Sequence, residues 1–466
     1  MNILLIGLTL LICSAVIFIK PAEGPGALAM CAAVSVPTLF ILARARNDKT
    51  FLLRLFLLGV LARIIVGSII FTAHLEEFFG GDANTYDVFG QSLVQSWHGD
   101  QFHTMAYTNF IASGASAWGM LYLVAIVYDL IGANMFAIQL INASVGAATG
   151  IIVYYVAQGL FNNTRVSRVA GVLVTFYPSL ILWSSQALKD GLIILALALA
   201  ILATMRLMEK ITIGYVVVLI LCLMTLLSLR FYIFYMMAAS VAGSFIIGMK
   251  SLSARSFVHR FLAVAAIGLA FTWFGVLRYA ETQFDRYANL QTIQVVRVDL
   301  AGAGSGYGKD VDVGTAEGAL SVIPMGMVYL LFAPFPWQFT SLRQSITLPE
   351  MIVWWFSFPL LVLGLWYSIK HRLREVSPII IFTTMLTLAY SLFQGNVGTA
   401  YRQRSQLLVF YFIFVAVGAI IMRERAEDRR RQQQLAKQEL AELQAARVKA
   451  RRQAAVGLNP VDPVKF

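Results

Sequence analysis

Apolar positions in this chain come in long unbroken runs, not in the one-sided stripe of a helix half-buried in a soluble core. The runs fall at about 2–19, 26–43, 51–71, 118–132, 134–157, 168–183, 187–206, 211–229, 231–249, 260–277, 320–336, 351–369, 377–393 and 406–422. Several, such as 211–229 and 351–369, are long enough to cross a hydrocarbon layer of about 30 Å as helices. Backbone polar groups in lipid must be satisfied within the spanning element, so the runs predict an all-α, polytopic transmembrane helix bundle.

Charge decides which runs cross. If every run crosses, the basic loops 250–260 and 162–168 fall on the side opposite the basic tail, against the cytoplasmic bias of Lys and Arg. Two runs are weak spans. The run 118–132 is short and interrupted by Asp129, and 320–336 contains Pro324, Pro334 and Pro336. With both lying in the interface or re-entering, about twelve crossings remain and each basic loop returns to the side of the tail. The expected organisation is a membrane domain over 1–422, with external loops at about 72–133, 278–350 and 395–405. A basic cytoplasmic tail follows over 423–466, both termini lying inside. The stretch 423–452 is rich in helix formers, although Leu435, Leu440 and Leu443 do not sustain a heptad.

Composition narrows the class further. With 59% hydrophobic and 13% charged residues the chain is no ordinary soluble domain. Its net charge of +12 is concentrated in the tail and in short loops such as Lys370-His371-Arg372-Leu373-Arg374. That is the pattern of anchoring beside anionic membrane lipid, and no aromatic–basic groove accompanies it to suggest nucleic acid. Cys13, Cys31 and Cys222 lie inside apolar runs and read as small hydrophobes. The run 2–19 lacks a basic leader and a small-residue cleavage signature, and is expected to be a retained span.

Against this apolar background the polar residues at span ends stand out. Gly80-Gly81-Asp82-Ala83-Asn84-Thr85-Tyr86-Asp87 opens the first long polar loop. Asp82 is the candidate general base for an acceptor hydroxyl, or a ligand for a divalent ion beside a leaving phosphate; its plainer role would be a helix N-cap. Tyr86 and Asp87 add polar groups within one turn. The spacing of His74, His98 and His103 fits no standard metal site. A second stretch runs from Tyr177-Pro178 to Lys189-Asp190, where Pro178 and a small polar run should break the helix near the surface. Arg402 and Arg404 sit where positive charge is normally avoided, and their guanidinium forks match phosphate oxygens. Arg230, between two adjoining runs, is a candidate of the same kind. The segment Ala301-Gly302-Ala303-Gly304-Ser305-Gly306-Tyr307-Gly308-Lys309-Asp310 fails as a phosphate-binding loop at Ala303 and Asp310.

These motifs in this order, best from Gly80 to about Ala200, resemble the integral-membrane glycosyltransferases of the C-type fold. That superfamily includes aminoarabinose transferases, protein mannosyltransferases and lipopolysaccharide-core sugar transferases. The resemblance implies catalysis by Asp82 and interfacial helices after it, with 118–132 non-crossing; the frequent Asp-Glu pair is here Gly81-Asp82. It implies a multi-pass protein of the inner, or plasma, membrane. Such an enzyme moves a sugar from a polyprenyl-phosphate donor to a glycan or lipid acceptor of the cell envelope, on the outer face. The donor phosphate is expected on Lys189, Asp190, Arg402, Arg404 and Arg230. No nucleotide is needed, and the cofactor is left open. The alternatives are a polymerase or ligase using a lipid-diphosphate-linked oligosaccharide and, in another class, a lipid or solute transporter or flippase. Transporters usually show paired halves with midplane charges, and neither is visible here.

Overall fold

The computed structural model describes residues 3–112, 117–247, 289–302, 304–338 and 342–456. Among them the protein is helical, apart from an isolated bridge between Gly306 and Asn396. The span expected at 260–277 and the basic loop expected at 250–260 lie outside the described residues. Among the described residues six helices are long and apolar enough to cross a membrane, and a bent pair would make a seventh. The protein is thus a multi-pass membrane protein.

The chain begins with α1 (Ile3–Ile19), α2 (Gly24–Ala43) and α3 (Lys49–Thr72). Short helices α4 (Glu76–Phe79), α5 (Asp82–Trp97), α6 (Gln101–Ala112) and α7 (Trp118–Ile131) follow. Then come α8 (Met135–Phe161), α9 (Thr164–Phe176), α10 (Pro178–Ser184), α11 (Asp190–Glu209), α12 (Ile213–Leu229) and α13 (Phe231–Ile247). The helix α8 is the centre of the bundle: it is buried on all sides and packs against α2, α3, α9 and α11. A helix hydrophobic all round is the one that a bundle encloses.

Contacts at the two ends of the bundle fix its sense. At one end Asp48 accepts from Tyr154 at 2.8 Å and from Arg168 Nε at 3.0 Å, and Arg165 lies 3.7 Å from Glu427 in the tail. The loops before α3 and α9 therefore share an end with the tail, as the charge bias requires. At the other end the Asn134 amide donates to the Glu23 carbonyl at 2.9 Å, and Gly67 of α3 abuts the Ser185 carbonyl. Helix α7 belongs wholly to this second end. Gly119 sits against Ser228, two residues before Arg230, and the helix stops just before Asn134. At 14 residues it is among the shorter apolar helices of the bundle.

The helix Leu348–Phe393 is a hairpin. Arg372 breaks it with φ −139° and ψ 24°, amid the basic segment 370–374. Its first arm runs alongside the C-terminal helix Val397–Val456, with Trp354 near Phe412 and Gly364 against Phe414 and Gly418. The second arm returns antiparallel, with Phe382 on Phe410 and the Tyr390 hydroxyl donating to Gln406 at 2.6 Å. The hairpin tip thereby reaches the basic end. The helix Ala316–Phe332 stays at the other end: the Leu331 and Ala333 carbonyls meet Arg404, near the start of the C-terminal helix.

Pro178 shapes the region between α9 and α11. Tyr177 takes an extended conformation (ψ 128°), as residues before proline prefer, and α9 and α10 meet at 54°. The break frees carbonyls inside the bundle, and buried polar side chains take them. Arg63 of α3 donates to the Thr175 carbonyl at 2.9 Å and to Ser184 Oγ at 2.7 Å. Asn142 of α8 donates to the Gln186 and Leu188 carbonyls, both at 2.7 Å. The turn that presents Lys189 and Asp190 is thus tied to the central helix.

Candidate active site

Four distant segments converge at the end of the bundle opposite the basic loops. Asp82 comes from the start of α5 and Lys189-Asp190 from the start of α11. Arg230 caps α12, and Arg402 lies in the second turn of the C-terminal helix. Arg402 ties the carboxylates together. Its Nη1 reaches Asp82 at 2.8 Å, while Nε and Nη2 reach Asp190 Oδ2 at 2.9 and 2.6 Å. The other oxygen of Asp190 faces Arg230 at 3.9 Å. Arg230 is itself braced by the Tyr390 hydroxyl at 3.5 Å.

The two carboxylates differ in setting. The Asp190 side chain is fully buried, whereas that of Asp82 is 50% exposed. A buried carboxylate is stable only when paired and hydrogen-bonded, and Asp190 meets that condition through Arg402. Asp82 keeps half of its side chain exposed while paired with Arg402. It is not the N-cap: Gly81 holds that position, with no side-chain cap bond. Lys189 Nζ lies 5.9 Å from the centroid of Tyr86, and both are buried. Burial first, and the neighbouring Arg230 second, hold the Lys189 ammonium down at about 8. Burial first, then Asp82 and Asp190, push the Tyr86 phenol up, so it stays a proton donor. Lys189, Arg230 and Arg402 together outweigh Asp82 and Asp190, which leaves the site an excess of positive charge fit for an anion.

The structure brings together Asp82, Tyr86, Lys189, Asp190, Arg230 and Arg402, and leaves out two residues expected here. Arg404 is fully buried and donates to the Leu331 and Ala333 carbonyls, both at 3.0 Å. Positions two apart on a helix point about 200° apart, so Arg402 and Arg404 cannot serve one face. Asp87 likewise turns away, accepting a short hydrogen bond from Tyr128 that clamps α5 onto α7. Sequence reasoning missed Trp183, whose ring lies 5.6 Å from the Arg402 guanidinium, and Tyr390 and Glu350. Glu350 had a legible signal: it is an acidic residue at the edge of the apolar run 351–369. Among the described residues no group of three or more His, Cys, Asp or Glu could hold a metal ion.

Residues 116–276 match the model of the dolichyl-phosphate-mannose-protein mannosyltransferase family. The matched stretch carries α7, the break at Pro178, Lys189, Asp190 and Arg230. It overlaps the part from Gly80 to about Ala200 that resembles membrane glycosyltransferases of the C-type fold. No curated protein matches the chain. Among solved structures it is similar to the archaeal oligosaccharyltransferase AglB from Archaeoglobus fulgidus, in complex with an inhibitory peptide and a dolichol-phosphate. Identity is 13% and the TM-score 0.38, over 68% of this chain and 43% of that one. The chain spans less than half the length of that protein.

Proposed function

We propose that this protein is a membrane glycosyltransferase that moves a sugar from a polyprenyl-phosphate donor to an acceptor hydroxyl on the outer face of the membrane. The observation that carries the reading is the joining of Asp82 to Asp190 by Arg402, beside Lys189 and Arg230. It gives a half-exposed carboxylate and a buried cationic patch at one end of a lipid-embedded bundle.

In this reading the acceptor hydroxyl attacks the anomeric carbon and its proton passes to Asp82. The bond from that carbon to the phosphate oxygen breaks, and polyprenyl phosphate leaves with the electron pair. Lys189 and Arg230 face the growing phosphate charge. Arg402 has three of its N–H groups on carboxylates, so its main task is to orient Asp82. This departs from the sequence expectation, in which Arg402 and Arg404 held the phosphate. A donor already anchored in the membrane supplies binding energy through its lipid tail, which agrees with a site at a bundle end. The charge bias supports a cytoplasmic position for the basic end, and the resemblance to membrane glycosyltransferases supports the inner, or plasma, membrane.

The test uses the purified protein in liposomes with polyprenyl-phosphate sugars and measures donor-lipid binding. Lys189→Ala and Arg230→Ala are each expected to weaken it about tenfold or more, because each removes a charge partner from a buried phosphate. Unchanged affinity in both variants would sink the assignment of the phosphate site.

A further inference from the structure

We propose that Glu350 is a positioning residue that holds Arg402 in place through Tyr401 and Trp183. The inference rests on the reading of Arg402 as the support of Asp82. Glu350 lies in the first turn of the hairpin Leu348–Phe393, with its side chain buried. Its Oε2 accepts from the Tyr401 hydroxyl at 2.9 Å. Tyr177 and Ser179, on either side of Pro178, also face the carboxylate, and Arg404 faces it from the C-terminal helix. One carboxylate therefore joins three elements: the hairpin, the break between α9 and α10, and the first turns of the C-terminal helix.

Tyr401 directly precedes Arg402. Its ring meets that of Trp183 edge-on, with centroids 6.4 Å apart and planes at 67°. The same Trp183 ring lies 5.6 Å from the Arg402 guanidinium. The indole is thus placed by one neighbour and supports the other, so the Tyr401 ring sets where the Arg402 fork points. Burying a carboxylate inside a membrane bundle is costly. In this cluster the Oε1 atom of Glu350, the Tyr177 hydroxyl, the Ser179 hydroxyl and Arg404 Nε have no partner within hydrogen-bond geometry. The bond that Glu350 itself makes in full geometry is the one from Tyr401, while Arg404 is held by the Leu331 and Ala333 carbonyls. A bundle held only by packing would be served as well by an apolar residue at position 350.

The experiment compares Tyr401→Phe, which removes only the hydroxyl, with Glu350→Gln, which keeps an acceptor, and with the double variant. Tyr401→Phe should lower kcat tenfold or more while donor KM stays within about twofold, since a displaced Arg402 misplaces Asp82 and not the phosphate cations. Glu350→Gln should be milder, and the double variant no worse than Tyr401→Phe alone, because both changes cut one link. A density map of Tyr401→Phe should show Arg402 moved from Asp82. If the map shows Arg402 still bonded to both Asp82 and Asp190, the proposal is overturned, whatever the activity. Wild-type kcat for folded Tyr401→Phe overturns it as well. Asp82→Asn measured alongside separates the two readings: wild-type turnover in that variant condemns the catalytic reading, while the map still decides the positioning.

Discussion

Asp82 and Asp190 share one arginine, yet substitution should separate them. Asp82→Asn leaves Arg402 paired with Asp190 and changes a half-exposed side chain, so the protein should accumulate and melt like the wild type. Turnover should fall by about 10²–10⁴, the usual loss for a positioned general base. Asp190→Ala should instead cost about 3–5 kcal/mol of stability, because it leaves Arg402 with its buried partner gone. Thermal melting in detergent beside single-turnover transfer assays distinguishes the two, and equal melting of both variants would contradict the division. Lys189 adds a pH signature. Its ammonium is held down at about 8, so the side chain is charged below that pH and neutral above it. Donor affinity should be strongest on the acid side and weaken as pH rises through about 8, with Lys189→Arg removing that step. A donor-binding profile that is flat in the wild type would leave Lys189 without a share in the phosphate.

At the scale of elements, the notable device is the broken passage from α9 through α10 to α11. A proline break inside a membrane bundle needs replacement partners for the freed carbonyls. Arg63 and Asn142 supply them from α3 and α8. Asn142→Leu removes two bonds at once and strands the Gln186 and Leu188 carbonyls, each worth about 1–3 kcal/mol when left unmet. The amides of 185–190 should then exchange hydrogen faster, and donor affinity should drop even though the bonds of Asn142 go to the Gln186 and Leu188 carbonyls and not to a charged side chain. Protection unchanged across that turn would mean that packing against α3, through Gly67, is sufficient to hold it.

For the whole molecule, the two ends of the bundle are chemically distinct. The segment 370–374, the loops before α3 and α9, and the start of the tail gather at one end. Asp82, Lys189, Arg230 and Arg402 gather at the other. In the orientation proposed above, the bias of basic residues to the cytoplasmic side puts the first end inside. In a background lacking Cys13, Cys31 and Cys222, a cysteine at position 310 should react with an impermeant thiol reagent in intact cells. One at 428 should react only after permeabilisation. The reverse pattern would invert the protein and put the transfer reaction on the inner face.

Sequence alone determined the helical, lipid-embedded class, because run length and backbone satisfaction in hydrocarbon leave few alternatives. It also singled out 118–132 and 320–336 as weak spans, since one is short with an internal Asp and the other proline-rich. Charged residues at span ends were legible one at a time: Asp82, Lys189, Asp190, Arg230 and Arg402 each stand out against apolar neighbours. Which of them meet was not legible. Asp82 and Arg402 are 320 positions apart, and apolar runs facing lipid carry little information on which helix packs beside which. Helix phase alone could have separated Arg402 from Arg404, but only packing shows which face looks into the site and which toward Leu331 and Ala333. Glu350 becomes meaningful only once the hairpin sets it against Tyr401. Tertiary structure decided these pairings because a membrane bundle is ordered by close backbone approach and a few buried polar bonds, and both are made between segments far apart in the chain.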